Sequence, residues 1–205
     1  MEKMPAKVFL ETERLILRQF TESDAENLFE LDSDREVIRF ANLGIIKGGE
    51  PTDTDRETIR NKTLPRLLAY YQKYEGYGFW AAIEKFSHEF IGWFQFRPAL
   101  DSPFNVTSGL YDNKDIELGY RLRKVSWGKG YATEGAKALV VKGFSELGTQ
   151  RVVSSALAAN GASSRVMEKA GLKFWQKYIH PEIEPEVVIY ALNKEEFKLE
   201  EYITT

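Results

Sequence analysis

The chain has 205 residues, 43% hydrophobic and 29% charged, with a net charge of -3. That is ordinary globular composition for one domain over 1–205, and it excludes a disordered chain and a basic field drawing the protein to nucleic acid or an anionic membrane. There is no cysteine, and His88 and His180 are the only histidines, which removes disulfides, thiolate metal sites, a cysteine nucleophile and a histidine-rich metal centre.

The first residues lack the apolar run of a secretion signal, and no apolar run is long enough to span a bilayer. A cytoplasmic protein is the expectation. Phe9-Leu10 and the segment 15–18 predict an early hairpin or bent strand that turns at 11–14. Thr21 suits a helix N-cap, and Ala25, Leu28 and Phe29 follow at helical spacing. Asp32-Ser33-Asp34 starts a second short helix carrying Val37, Ile38 and Phe40, and 44–55 reads as a polar loop. Thr54 or Asp55 caps the next helix, in which Pro65 predicts a kink or a late true start.

Segments 79–84 and 90–96 read as two strands joined by a short polar turn, hence a hairpin. The stretch 97–114 is a long loop of the kind that often serves binding. Residues 116–122 alternate with period two, as a half-buried strand does. A turn, Trp127-Gly128-Lys129-Gly130-Tyr131-Ala132-Thr133-Glu134, leads into a helix from about Thr133, which Gly148 stops. A strand at 151–156, a short helix opened by Asn160 and stopped by Gly171, and a closing hairpin at 172–178 and 186–192 complete the fold. The core spans about 9–192, and 193–205 is a charged tail expected to lie at the periphery. This order predicts a mixed α/β (α+β) domain.

Small residues in the turn let a ligand approach the backbone, and the helix start adds unpaired N–H groups. The turn reads either as an anion site or as an ordinary tight strand–helix connection. As a P-loop it fails, because Lys137 falls one place late and no hydroxyl follows. As a dinucleotide fingerprint it fails at Thr133, which fills the third glycine position, and no acid ends the next strand.

Gly130 and Ala132 fill the two small positions of the GNAT acetyltransferase pyrophosphate loop, Gln/Arg-x-x-Gly-x-Gly/Ala, with Trp127 at its first place. Asn160-x-x-Ser163 and the segment Glu168-Lys169-Ala170-Gly171-Leu172-Lys173-Phe174 match a second signature, and Leu10-Glu11-Thr12-Glu13-Arg14-Leu15 matches an N-terminal strand. From 9 to 192 the chain resembles this superfamily, and within it the ribosomal-protein N-terminal acetyltransferase branch. The resemblance implies a mostly antiparallel sheet of about seven strands flanked by helices and splayed at the cofactor site. It implies acetyl-CoA as co-substrate, with no metal. Trp127, Gly128, Lys129, Gly130, Tyr131, Ala132 and Thr133 would hold the pyrophosphate, Leu122 and Arg123 would pair with the cofactor's arm, and Asn160 and Ser163 would face it from the other side.

Acetyl transfer to an amine needs a base, a positioned thioester and a stabilised leaving thiolate. Glu117 is the candidate base, weighed against an ordinary solvent-facing strand acid. Met167 stands where the superfamily usually has a tyrosine acid, which leaves Ser163, or more remotely Tyr120, as the group that meets the thiolate. Glu134 reads as a first-turn helix acid and His180 as a surface histidine. Trp80, Trp93, Phe94 and Phe96 line the acceptor site or the core, and Asp53, Asp55, Asp101, Asp112 and Asp115 either suit a cationic acceptor or are simply solvated. The expected activity is transfer of acetyl to a primary amine, of a protein N-terminus or a small molecule, by direct attack in a ternary complex. The expected protein is a monomer or homodimer without nucleic-acid or membrane partners. The alternative is a non-catalytic acyl-CoA-binding regulatory module.

Overall fold

The computed structural model describes residues 6–41, 46–48 and 54–203. Its centre is a sheet of eight strands rather than about seven. They are β1 (Val8–Glu11), β2 (Leu15–Arg18), β3 (Gly78–Glu84), β4 (Phe90–Pro98), β5 (Asp115–Leu122), β6 (Arg151–Leu157), β7 (Lys173–Ile179) and β8 (Glu186–Asn193). The sheet order is β1-β2-β3-β4-β5-β6-β8-β7. Every pairing is antiparallel except that of β5 with β6. That parallel pair needs a crossover, and the helix following the turn supplies it.

The helices are α1 (Ala25–Ser33), α2 (Arg35–Ile38), α3 (Arg56–Thr58), α4 (Leu64–Lys73), α5 (Pro103–Ser108), α6 (Tyr131–Ser145), α7 (Gly161–Lys169) and α8 (Glu200–Ile203). Pro65 acts as the sequence predicts. A π-helical turn, Ile59–Thr63, joins α3 to α4, with the Leu64 amide donating to the Ile59 carbonyl five residues back. Most of the polar loop at 44–55, with Asp53, lies outside the described residues.

Alternation sorts the strands' side chains onto two faces. One face packs under α6 and α7 around Leu15, Leu17, Phe94, Phe96, Leu118, Leu139 and Met167. The other packs under α1 and α4 around Phe20, Leu28, Leu31, Ile59, Leu67 and Phe79. Two glycines let α6 lie close on the sheet. A Cβ on Gly135 would stand 2.3 Å from the Phe94 ring, and one on Gly143 would stand 2.5 Å from that of Phe96.

Two expectations change. The long loop 97–114 holds a 3-10 turn and α5, with the buried Asn105 donating to the Ala99 carbonyl at 3.0 Å. The segment after Asn193 is not peripheral. The Phe197 ring packs at a tilt on Phe144 with centroids 4.9 Å apart, and Tyr202 donates to the Ala170 carbonyl at 3.0 Å, so these rings close the core beneath α7.

Candidate active site

β5 and β6 pair only from Asp115 with Arg151 to Glu117 with Val153. Beyond that point β5 keeps only β4 as a partner and β6 keeps only β8, so the two strands part as a fork. The Arg123 amide donates to the Ile91 carbonyl on the β4 side at 2.8 Å. By alternation, the backbone groups of Tyr120 and Leu122 turn into the fork. The Arg123 backbone therefore faces β4, and its side chain leaves for Glu30 and Asn27 at 2.6 and 3.2 Å. The structure turns Arg123 away from the fork, while Leu122 lines it.

The turn closes the mouth of the fork. A 3-10 turn, Lys124–Ser126, precedes it, and Gly128 and Gly130 then take left-handed φ values of +74° and +85°. Gly130 is the N-cap of α6. Among the described residues, the amides from Gly128 to Thr133 donate to no protein acceptor, and a Cβ on Gly128 would meet nothing within 4 Å. Six unpaired donors at a helix start over open space form an anion cradle. Trp127 donates its indole N–H to the Leu122 carbonyl at 2.8 Å, stapling the turn to the end of β5.

Glu134 has a larger part than a first-turn acid. It accepts from Thr12 Oγ1 at 2.6 Å and from the Arg14 amide at 2.8 Å, and it pairs with the Arg14 guanidinium at 2.6 Å. Arg14 also donates to the Lys129 carbonyl at 2.9 Å and lies over the Tyr131 ring at 4.8 Å. Burial raises the Glu134 pKa, but these hydrogen bonds outweigh it and hold the carboxyl below its ordinary value.

The cavity in the fork measures about 490 Å³. Tyr120 and Leu122 line one wall; Ser155, Asn160, Ser163 and Val166 line the other, and the turn forms the rim. Asn160 caps α7, its Oδ1 accepting the Ser163 amide at 3.3 Å, while its Nδ2 carries no hydrogen bond among the described residues. Tyr120 reaches across the fork to Ser163, 3.0 Å from Oγ and 3.1 Å from the carbonyl. Burial pushes the Tyr120 phenol up to about 12, with the Ser163 hydrogen bond lowering it only in part. Met167 is fully buried in the core and does not line the cavity. The rim also carries Arg39, Arg165 and Lys169, and the last two have no acidic partner among the described residues.

Other predicted residues lie elsewhere. Glu117 is neither solvent-facing nor in the cavity. It sits at the vertex of the fork on the opposite face from Tyr120, 2.8 Å from the Arg97 guanidinium, with both side chains nearly buried. His180 is not at the surface. It is fully buried, stacked on Phe104 at 3.6 Å, with Nδ1 accepting the Glu182 amide and Nε2 donating to the Phe104 carbonyl. Asp55 caps a helix, Asp101 holds Lys73 and Tyr74, Asp112 accepts the Lys114 amide, and Asp115 is buried against Arg151. None of these four lines the cavity. Trp80, Phe94 and Phe96 are core, whereas Trp93 lies under the Arg121 guanidinium at 5.2 Å. Val37, Arg39 and Phe40, which end and follow α2, line the cavity without any sequence signal of that role.

Residues 14–173 match the family profile described as the acetyltransferase (GNAT) domain. The FsC-acetyl coenzyme A-N(2)-transacetylase of Aspergillus fumigatus is 31% identical over 198 residues, covering 94% of this chain and 79% of that protein. The crystal structure of a GNAT-family acetyltransferase from Bacillus anthracis superimposes with a TM-score of 0.67 at 25% identity, covering 91% of this chain and 99% of the other. RimL, a ribosomal L7/L12 alpha-N-protein acetyltransferase in complex with coenzyme A, shares the fold with a TM-score of 0.69 at 19% identity, over 91% of this chain and 98% of that one. The chain belongs to the GNAT acetyltransferase family, whose acyl donor is acetyl-CoA.

Proposed function

We propose that this GNAT acetyltransferase moves acetyl from acetyl-CoA to a primary amine, of a protein N-terminus or a small molecule, by direct attack while both are bound. A single catalytic domain carries out the reaction, its core running on past 9–192 to Phe197 and Tyr202. The observation that carries the reading is the fork between β5 and β6, capped by six unpaired amides at the start of α6. An open strand edge suits a chain of amides, as an added strand would, and the amide cradle suits a pyrophosphate.

The residues present fit the donor. Gly128, Lys129, Gly130, Tyr131, Ala132 and Thr133 present their N–H groups to the pyrophosphate, and Trp127 holds them in place. Leu122 and Tyr120 offer backbone groups to the arm from β5, and Asn160 offers Nδ2 from the facing wall. Arg165 and Lys169, one turn apart on α7, suit the remaining phosphate charge. When bound, acetyl-CoA supplies an activated thioester.

The amine approaches from the other face of the sheet. Glu117, at the vertex of the fork and held by Arg97, takes the amine's proton through water. Ser163 lines the cavity and meets the leaving sulfur. A non-catalytic module would suit a chain with Met167 in the acid position, but the Tyr120–Ser163 pair places at the fork hydroxyl donors that a methionine cannot offer. The Aspergillus fumigatus relative is named for an N(2)-transacetylation, which supports nitrogen as the acceptor atom. The acidic loop residues do not favour a cationic acceptor, because the four described ones are spent on structural partners.

The test is release of free thiol from acetyl-CoA across a panel of N-terminal peptides and small amines. Turnover with at least one amine is the expected result. Saturable binding of acetyl-CoA with no turnover on any member of a broad panel would contradict the reading.

A further inference from the structure

We infer that Tyr120 is a positioning residue for the leaving thiol, its hydroxyl setting the direction in which Ser163 donates. The inference rests on the acetyl transfer proposed above and concerns the same fork.

The pair bridges the two walls. Tyr120 stands on β5 in the stretch that has lost β6 as a partner, its ring packed 6.0 Å from that of Phe94. Ser163 stands in the first turn of α7, its amide tied to the Asn160 carbonyl at 3.0 Å. Between them, the Tyr120 hydroxyl is within hydrogen-bond distance of two acceptors on one residue, Ser163 Oγ and the Ser163 carbonyl.

Each hydroxyl has one proton to give, so two arrangements are possible. In the first, Tyr120 donates to the carbonyl and Ser163 donates to Tyr120, which uses both protons. In the second, Tyr120 donates to Ser163 Oγ, which leaves the serine proton without a protein acceptor and facing the cavity that both residues line. Negative charge on a sulfur in the cavity selects the second arrangement. A preorganised donor aimed at developing charge is worth more inside a protein than in water. Burial holds the Tyr120 proton up to about 12, so the phenol stays a donor throughout the neutral range.

The step balances. The amine nitrogen bonds to the acetyl carbonyl carbon, the thioester C–S bond breaks with its electron pair on sulfur, and Ser163 Oγ–H hydrogen-bonds to that sulfur without giving up its proton. The proton that makes the free thiol comes from solvent, and the proton lost by the amine returns to solvent through Glu117. Tyr120 and Ser163 end the cycle as they began it.

Tyr120→Phe keeps the ring and removes the hydroxyl, and Ser163→Ala removes the other half of the pair. Three quantities are measured: CoA affinity by calorimetry, kcat, and the pH at which the thiol of bound CoA ionises, read from thiolate ultraviolet absorbance. Each single variant should keep CoA affinity within about twofold and lose about tenfold or more in kcat, and the double variant should lose little beyond either single one. In Tyr120→Phe the bound thiol should ionise about one pH unit higher than in the wild type, a tenfold loss of thiolate stabilisation. Unchanged kcat in Tyr120→Phe, additive losses, or an unmoved thiol titration would each overturn the inference. A wild-type protein that binds no CoA would instead sink the functional reading itself.

Discussion

Trp127 stands where the family motif commonly has glutamine or arginine, yet its indole N–H bonds the last carbonyl of β5, a donation those side chains could also make. The motif departs in residue type and keeps a donor. Glu117→Gln preserves size and leaves Arg97 an oxygen acceptor, whereas alanine would strand a nearly buried guanidinium. With glutamine there, kcat should fall about 10²-fold while CoA affinity stays level, by steady-state kinetics and calorimetry. An unchanged kcat would return Glu117 to a structural ion pair. The sequence made the turn at Gly130 and the helix cap at Asn160 legible because turn and cap chemistry is local. It could not place His180 or the loop acids, since what buries His180 is Phe104, 76 residues earlier.

Among the elements, the early hairpin matters more to the site than its distance in sequence suggests. The turn between β1 and β2 grips the start of α6 through Thr12, Arg14 and Glu134, and Lys85 of the following hairpin holds the Thr12 carbonyl at 2.6 Å. Arg14 reaches on to the Lys129 carbonyl inside the anion cradle. Loss of the Glu134 charge should therefore loosen the cradle, and Glu134→Gln should raise KM for acetyl-CoA about three- to tenfold with kcat nearly unchanged. The folded carboxyl lies below its ordinary 4.5, so its contribution is complete above about 4.5 and disappears as pH falls through the lowered value. Thermal melts from pH 6 down to pH 3 should fall less steeply for Glu134→Gln than for the wild type. Parallel curves would show that the clamp does not stabilise the fold. The motif at 10–15 marked this strand by resemblance, but a contact across 120 residues leaves no local pattern to read.

At the scale of the whole molecule, the site is a defect in an otherwise continuous sheet. Period-two alternation identified β5, and the strand–helix–strand order read around the turn is that of β5, α6 and β6, which form the parallel crossover. That parallel pairing stops at Glu117 and Val153, under a helix that Gly135 and Gly143 let lie close on the sheet, and no local sequence rule states where it ends. The same packing brings the segment after Asn193 into the core through Phe197 and Tyr202, although its charge suggested a solvated tail. Calorimetric titration of CoA into the wild type and Gly130→Val tests whether the fork and the cradle from Trp127 to Thr133 hold coenzyme A. Valine at a φ of +85° strains the cradle, and its Cβ crowds Arg14 Nη2 at 3.2 Å, so melting curves of this variant and of the milder Gly130→Ala accompany the titration. The expected result is saturable binding to the wild type, and affinity weakened about tenfold or more by a Gly130 substitution that still melts cooperatively. Equal affinity in the wild type and a folded Gly130 variant would contradict it.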